Sequence, residues 1–522
     1  MRWFFFWTTA SIAIALLSPF VILSIVIGMA AGDGLQEILG LLITLLVTIG
    51  FIPTARRASK NLEEVSNIRD LDAIIAVALT WPAVVLIGTL PYWLGPTFQG
   101  PLQPDMLHGF TYAWFESMSG FTTTGATVID ASSSPGICVM ATMDCIAAQP
   151  KSVLVWRSFS QWLGGMGIVM MSLLVLSRIM SGGHTMARSE LTGPTLNRLA
   201  PRLYNTGMRL WIIYAALTVI EFFALLFAGF MVDTPLGWFD AFNLSLTTMP
   251  SGGFAPHSAS IAEYDSAVVE GIIILFMFLA GVNFTLLHLG LVRGKFRKAT
   301  ADREFRTYVC ILLAATFLMT WNLTHSGSGH GFGWSLRHAA FQAVAIGTST
   351  GYSSTDFALW PGLSGVILLL LMIIGSCAGS TGGGVKVLRM RILAKISGRE
   401  VSQLGEPRLV LSLQEDNRTV EQNTLNIMIG MLGCWVFIFI SGIIVIGLLD
   451  PDLSFESLIS ATAACLGNTG PALAQLGPTK TWSGVSTGTL FTSTILMWMG
   501  RLELLTVMVV LRLRSWRGTT SK

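Results

Sequence analysis

Phe115-Glu116-Ser117-Met118-Ser119-Gly120-Phe121-Thr122-Thr123-Thr124-Gly125-Ala126-Thr127 is a short segment that runs into a hydroxyl residue and a glycine. It is too short to cross a bilayer, which takes about 20 apolar residues as a helix. A Thr-Gly or Ser-Gly pair alone says nothing, and the chain holds others, such as Ser364-Gly365. The pattern returns, however, at Ser251-Gly252, Thr350-Gly351 and Thr469-Gly470, at spacings of 127, 99 and 119 residues. Ten residues before each glycine stand Phe115, Phe242, Phe341 and Ser460; nine before stand Glu116, Asn243, Gln342 and Ala461. Recurrence at matching places is the mark of an internal repeat.

Long apolar stretches flank every one of these sites. The chain has 522 residues, 52% hydrophobic and 12% charged, where a soluble protein has about 25% charged. A net charge of +3 leaves no basic footprint for nucleic acid. Six cysteines stand singly, without a CxxC pair, so neither a zinc nor a redox motif is signalled. The class is an all-α integral membrane protein. Ten spans are expected near 8–30, 35–53, 72–94, 153–177, 209–231, 266–291, 307–322, 361–391, 424–448 and 486–511. Arg2 before an apolar run resembles a signal peptide. The run passes Pro19 and reaches Ala31, too long for a signal core, and is read as retained.

Positive charge sets the orientation. Of the 32 Lys and Arg, 27 fall at the termini or after the second, fourth, sixth and eighth spans. The other side carries Lys151, Arg157, Arg337 and Lys480, and Arg501 sits inside the last span. Both termini are therefore expected in the cytoplasm. The basic clusters serve topology, or dock an acidic or lipid partner.

The four repeated sites then lie on the outer side, each between two spans. They could be four turns that use glycine for its positive φ. Turns alone, however, need no preceding short helix. The functional reading is that non-helical backbone at membrane depth lines a water or ion path. Backbone carbonyls there replace the hydration shell of a cation, and the negative carboxyl-terminal ends of the short helices favour it. The expected ion-binding residues are Thr123, Thr124, Gly125, Pro250, Ser251, Gly252, Ser349, Thr350, Gly351, Asn468, Thr469 and Gly470. Pro250 lacks only the N–H donor, so its carbonyl can still face an ion.

These segments resemble the Trk/Ktr/HKT superfamily of potassium transporters, in its bacterial TrkH type. The resemblance rests on 115–127, on Arg157-Ser158 through Gln161-Trp162-Leu163-Gly164-Gly165-Met166-Gly167, on Ser349-Thr350-Gly351-Tyr352 and on Asn468-Thr469-Gly470-Pro471. Gly375 to Lys386 resembles the family's interrupted eighth span, and Gly500-Arg501-Leu502-Glu503 its last span. The resemblance implies a leading two-helix unit (1–55) and four span–pore helix–span repeats around a central pore (70–180, 205–295, 305–395 and 420–514). It implies potassium uptake through a selectivity filter, with glycine rather than serine at position 125 as in the potassium-selective members. It implies a gate made of Gly379, Ser380, Thr381, Gly382, Gly383, Gly384 and Arg501. It also implies a homodimer, and a cytosolic nucleotide-binding RCK-type regulatory subunit. The second filter segment, with Pro250 before Ser251, departs from the family form.

The remaining constellations are weaker. Gly379 to Lys386 fails the P-loop form because no Gly-Lys-Ser/Thr follows, and the chain has no dinucleotide fingerprint. No cofactor is expected, with potassium as substrate only. Five glycines from Gly375 to Gly384 argue against continuous helix, each costing about 1 kcal/mol in a helix interior. Arg501 either gates, or snorkels or pairs structurally with Glu503; an embedded charge usually faces a cavity. Glu116 either braces its short helix or tunes the field at the filter. His325, His330 and His338 lie near Arg337 and are not expected to bind metal; His288 reads as a satisfied bundle residue. Cys138 and Cys145 are either disulfide-bonded or two reduced residues seven apart. No paired acids or Ser/His/Asp set suggests an enzyme. A secondary symporter of another cation or solute remains the alternative, though it would need inverted repeats.

Overall fold

The computed structural model describes residues 2–57, 70–98, 106–138, 143–181, 196–231, 236–326, 331–405, 414–415, 418–419 and 422–502. It is helical, apart from a two-residue antiparallel pairing of Gln414–Glu415 with Arg418–Thr419. Three helices lead the chain: Arg2–Ala15, Ser18–Ala31 and Leu35–Gly50. A recurring triplet of long helix, short helix and returning helix follows. It runs Asp70–Trp93, Met106–Phe121, Lys151–Ser181, then Leu196–Met231, Trp238–Thr248, Ala267–Ala280. Next come Arg303–His325, Phe332–Gly347, Gly362–Ile374, and Gln422–Leu449, Phe455–Gly467, Thr487–Arg501. Several of these helices start on a side-chain cap: Ser266, Asp302, Ser454 and Ser486 each accept from an N–H in the first turn.

Polarity is distributed as lipid requires. Leu313, Phe317 and Trp321, at helical spacing, are 64%, 65% and 57% exposed. Phe223, Phe227 and Phe230 form a second such stripe. In water, contiguous patches of this kind would drive aggregation; in a bilayer they are the solvent-facing surface. Hydroxyl residues such as Thr122, Thr247, Thr348 and Ser460 are buried instead. Six helices are long and apolar enough to cross a membrane, and one bent pair makes a seventh, among the described residues.

One span is broken where the sequence suggested continuity, and another is interrupted without ceasing to be one span. The expected span 266–291 turns by 105° between Ala267–Ala280 and Phe284–Val292. Its freed backbone groups pair with the interrupted stretch 375–386: Cys377 N donates to Gly281 O at 3.1 Å, and Phe284 N to Gly379 O at 3.1 Å. The first apolar run, Phe6–Ala31, remains one span, but its helix is interrupted at Leu16 and Leu17 just before Pro19, whose ring removes a helical hydrogen bond. The interruption expected in the eighth span is present, between Gly362–Ile374 and Val387–Gly405.

Candidate functional site

The four short helices end in the same turn. Thr123, Ser251, Ser349 and Asn468 are left-handed, with φ of 50°, 57°, 56° and 52°, a region that side-chain-bearing residues seldom occupy. Each closes the turn with a matching bond pair. Thr123 N donates to Gly120 O and Thr124 N to Ser119 O; Ser251 N to Thr248 O and Gly252 N to Thr247 O. Ser349 N donates to Ile346 O and Thr350 N to Ala345 O; Asn468 N to Cys465 O and Thr469 N to Ala464 O. Two residues beyond each left-handed residue stands a glycine with positive φ: Gly125, Gly253, Gly351 and Gly470.

This corrects the register of the second repeat. Ser251-Gly252-Gly253, not Pro250-Ser251-Gly252, matches Thr123-Thr124-Gly125. The reason is covalent: proline holds φ near −65°, so Pro250 cannot take the left-handed place. The shift also dissolves part of the expected repeat. Asn243, not Phe242, corresponds to Phe115, and Leu244 to Glu116.

The four loops close into a ring. A Cβ built on Gly125 would overlap the carbonyl oxygen of Gly252. One on Gly253 would overlap Thr350 O, one on Gly351 Thr469 O, and one on Gly470 Thr124 O. Each glycine thus lets its loop approach the next, and the fourth meets the first. The threonine, serine and asparagine side chains of these turns are almost wholly buried. Loops one and three are braced from within, by Thr122 to Thr124 at 2.8 Å and Thr348 to Thr350 at 2.7 Å. Pro250 and Gly467 occupy the corresponding first position in the other two loops, so their braces come from outside. Gln161 donates to Gly252 O at 2.6 Å and accepts from Phe254 N at 3.1 Å. Asn468 Nδ2 donates to Thr124 Oγ1 at 3.0 Å and Met497 O at 2.9 Å.

Glu116 and Arg157 tie the first loop to the second. The carboxylate accepts from Arg157 Nε at 2.6 Å, Thr127 Oγ1 at 3.1 Å and Val128 N at 3.1 Å. Arg157 also donates to Ala255 O at 3.0 Å and lies 3.6 Å from the centre of the Phe254 ring. Of the two roles open to Glu116, this geometry is the brace.

The interrupted stretch lies against the same ring. Thr381 Oγ1 bonds Ser251 Oγ at 2.9 Å, and Gly383 N donates to Ser349 Oγ at 2.5 Å. Arg501 is buried and donates to Thr381 O at 2.8 Å and Gly164 O at 3.3 Å. Gly379, Ser380, Gly382, Gly383, Gly384 and Arg501 share one cavity. Glu304, which the sequence did not single out, accepts from Ala378 N at 2.6 Å and Leu388 N at 3.2 Å. Glu503 lies outside the described residues.

The TrkH family profile, described as a cation transport protein, matches residues 43–517. This chain belongs to the TrkH family. The Trk system potassium uptake protein TrkH of Halomonas elongata is 32% identical over 499 residues, covering 94% of this chain and 95% of that protein. TrkH of Escherichia coli is 31% identical over 466 residues, 88% of each chain. The crystal structure of the potassium transporter TrkH from Vibrio parahaemolyticus aligns with a TM-score of 0.82 at 27% identity, covering 99% of this chain and all of that one. These relatives are named as potassium uptake proteins and transporters, not enzymes, and this chain, with its several long apolar helices, is a multi-pass membrane protein of the same family.

Outside the ring, Cys138 and Cys145 form a disulfide with Cα atoms 5.3 Å apart. The histidines near Arg337 do not converge. His325 is exposed and bonds Trp321 O, while His338 is buried and bonds Ser354 Oγ; His330 lies outside the described residues. His288 differs from expectation: its buried Nδ1 has no hydrogen-bond partner. Gly253 was missed in the sequence, although Pro250 carried the signal.

His257 was also missed. It stands between Asp144 and Asp240, against a cavity that Gly125, Gly253 and Gly351 also line. The hydrogen bonds that its ring donates to these two carboxylates raise its pKa to about 9, against a smaller opposing effect of burial. Burial opposes the charge of Asp144, but hydrogen bonds from His257 and Ser258 outweigh it and hold that carboxyl well below its usual range.

Proposed function

We propose that this protein takes up potassium ions across the bacterial inner membrane, through the ring formed by the four glycine-bearing loops. The closed ring is the observation that carries this reading. Four short helices deliver their negative carboxyl-terminal ends to it, and backbone oxygens at a narrow, water-poor place suit a dehydrated monovalent cation. The names of the relatives, potassium uptake proteins, support the choice of ion. The filter is then Thr123, Thr124, Gly125, Ser251, Gly252, Gly253, Ser349, Thr350, Gly351, Asn468, Thr469 and Gly470.

The same reading assigns ten spans: a leading pair and four span–pore helix–span units about the ring, with both termini cytoplasmic. Residues 379–384 with Arg501 form the gate, since Thr381 and Gly383 bond the left-handed residues of two filter loops and Arg501 holds Thr381. A homodimer with a cytosolic RCK-type nucleotide-binding subunit supplies control, and the transporter itself carries no resident cofactor. The rival symporter reading is disfavoured by repeats that share one orientation.

Flux into proteoliposomes with K⁺, Na⁺ and Rb⁺, together with growth of a potassium-uptake-deficient strain at low external K⁺, tests the proposal. Rescue and preference for K⁺ over Na⁺ are expected. No K⁺ flux from well-folded protein, or equal flux of Na⁺, overturns it.

A further inference from the structure

A separate cluster of ionisable groups stands at the outer mouth. His257 lies six residues beyond Ser251, on the segment leaving the second loop. Asp144 sits beside Cys145, inside the disulfide ring. Asp240 is in the first turn of Trp238–Thr248, and Glu263 is on the short turn Ser260–Tyr264. His257 Nδ1 is 3.2 Å from Asp144 Oδ2, and its Nε2 is 3.2 Å from Asp240 Oδ2. One ligand atom from each of Asp144, His257 and Glu263 lies within 4.8 Å of the other two.

We propose that Asp144, His257 and Glu263 form an external binding site for a divalent transition-metal ion of the Zn²⁺ type, which slows potassium uptake when filled. The donor set carries the first half. One imidazole nitrogen with two carboxylate oxygens suits zinc and its neighbours, whereas Mg²⁺ and Ca²⁺ prefer oxygen alone. Three protein ligands leave a position for water, as in open zinc sites. The remaining ring nitrogen faces Asp240, the arrangement in which an outer carboxylate fixes the tautomer and orientation of a metal-bound histidine.

Asp144 is positioned in advance. Its Oδ1 accepts from Ile146 N at 3.1 Å, Ala147 N at 3.0 Å and Ser258 Oγ at 2.6 Å, so Oδ2 is aimed at the ring. His257, Asp144 and Asp240 side chains are 23%, 30% and 14% exposed, and a hydrated ion can reach them. The metal takes the place of the proton between His257 and Asp144.

The second half follows from location. His257 and Ser258 line the same outer cavity as Gly125, Gly253 and Gly351. A divalent charge held there opposes the approach of a monovalent cation. This half rests on the proposed potassium pathway; binding itself does not.

The test titrates ZnCl₂ into purified full-length protein, with any affinity tag removed, by isothermal calorimetry. One saturable site per chain is expected. Its affinity should fall by more than about 10-fold in His257→Asn and in Glu263→Gln, and by about 10–100-fold in Asp240→Asn. Glu263 is exposed, so that variant keeps the fold while removing a ligand. External Zn²⁺ should slow K⁺ uptake by the native protein and act more weakly on the variants. Absence of a saturable site, or unchanged affinity in both His257→Asn and Glu263→Gln, overturns the site. Normal binding with unaltered flux overturns the inhibition. Loss of all K⁺ flux in metal-free native protein would count against the potassium pathway instead, with calorimetry still reporting the metal site.

Discussion

Gly253 faces the carbonyl oxygen of Thr350 so closely that a Cβ on the glycine would overlap it. The contact joins the second loop to the third and fixes the register of the whole ring. With φ of 78°, any larger residue at 253 meets both backbone strain and collision. Gly253→Ser should therefore lower K⁺/Na⁺ discrimination as Gly125→Ser does, with the protein still folded. Flux ratios in proteoliposomes check this. If Gly253→Ser keeps native selectivity while Gly125→Ser loses it, Gly253 is not the counterpart of Gly125.

The Glu116–Arg157 pair is buried on both sides. Removing one partner of such a pair leaves an uncompensated charge and costs about 3–5 kcal/mol. Arg157→Met should destabilise the protein by about that amount, and the double variant Glu116→Gln/Arg157→Met by less than the sum of the single changes. Denaturant unfolding in detergent measures both. Additive losses would remove the coupling inferred between the first and second loops.

Arg501→Ala deletes the donors to Thr381 O and Gly164 O. It should release the stretch against the ring, raise basal K⁺ flux and weaken control by the proposed regulatory subunit. Basal flux equal to or below native, from variant protein of native thermal stability, would argue that Arg501 only supports packing.

The Cys138–Cys145 bond closes a ring of eight residues. Loop entropy gives such a ring about 2.5 kcal/mol, so it orders this loop rather than holding the fold. Cys138→Ser should lower the melting temperature modestly and leave K⁺ uptake measurable. In native protein purified without reductant, mass spectrometry after alkylation should find neither thiol modified; two freely alkylated thiols would contradict the pairing.

Much of the architecture was legible because lipid imposes few solutions. Long apolar runs must be helices, and a short segment ending in a hydroxyl and glycine between two such runs must return to the surface it entered from. The second loop shows the limit. A match of hydroxyl-Gly pairs put Gly252 level with Gly125. The fixed φ of Pro250 already argued for Ser251 as the left-handed residue, but only the hydrogen-bond pattern displayed that constraint alongside its three counterparts. The bend at Gly281–Asn283 was hidden for a different reason: the hydropathy of 266–291 is continuous, and the break is stabilised by a segment almost 100 residues away.

The sequence by itself determined the membrane class, the four repeated sites, the glycines that allow close approach, and the interruption between Gly375 and Lys386. Each of these follows from local chemistry: apolar length, the missing Cβ, the helix cost of clustered glycines. Tertiary structure decided the closure of the ring, the bracing by Gln161, Glu116 and Arg157, the docking of Thr381 and Arg501, and the meeting of His257 with Asp144. Those contacts join residues about 40 to more than 300 positions apart. No local preference encodes them; they exist because burial in lipid leaves each polar group to find its partner inside the protein.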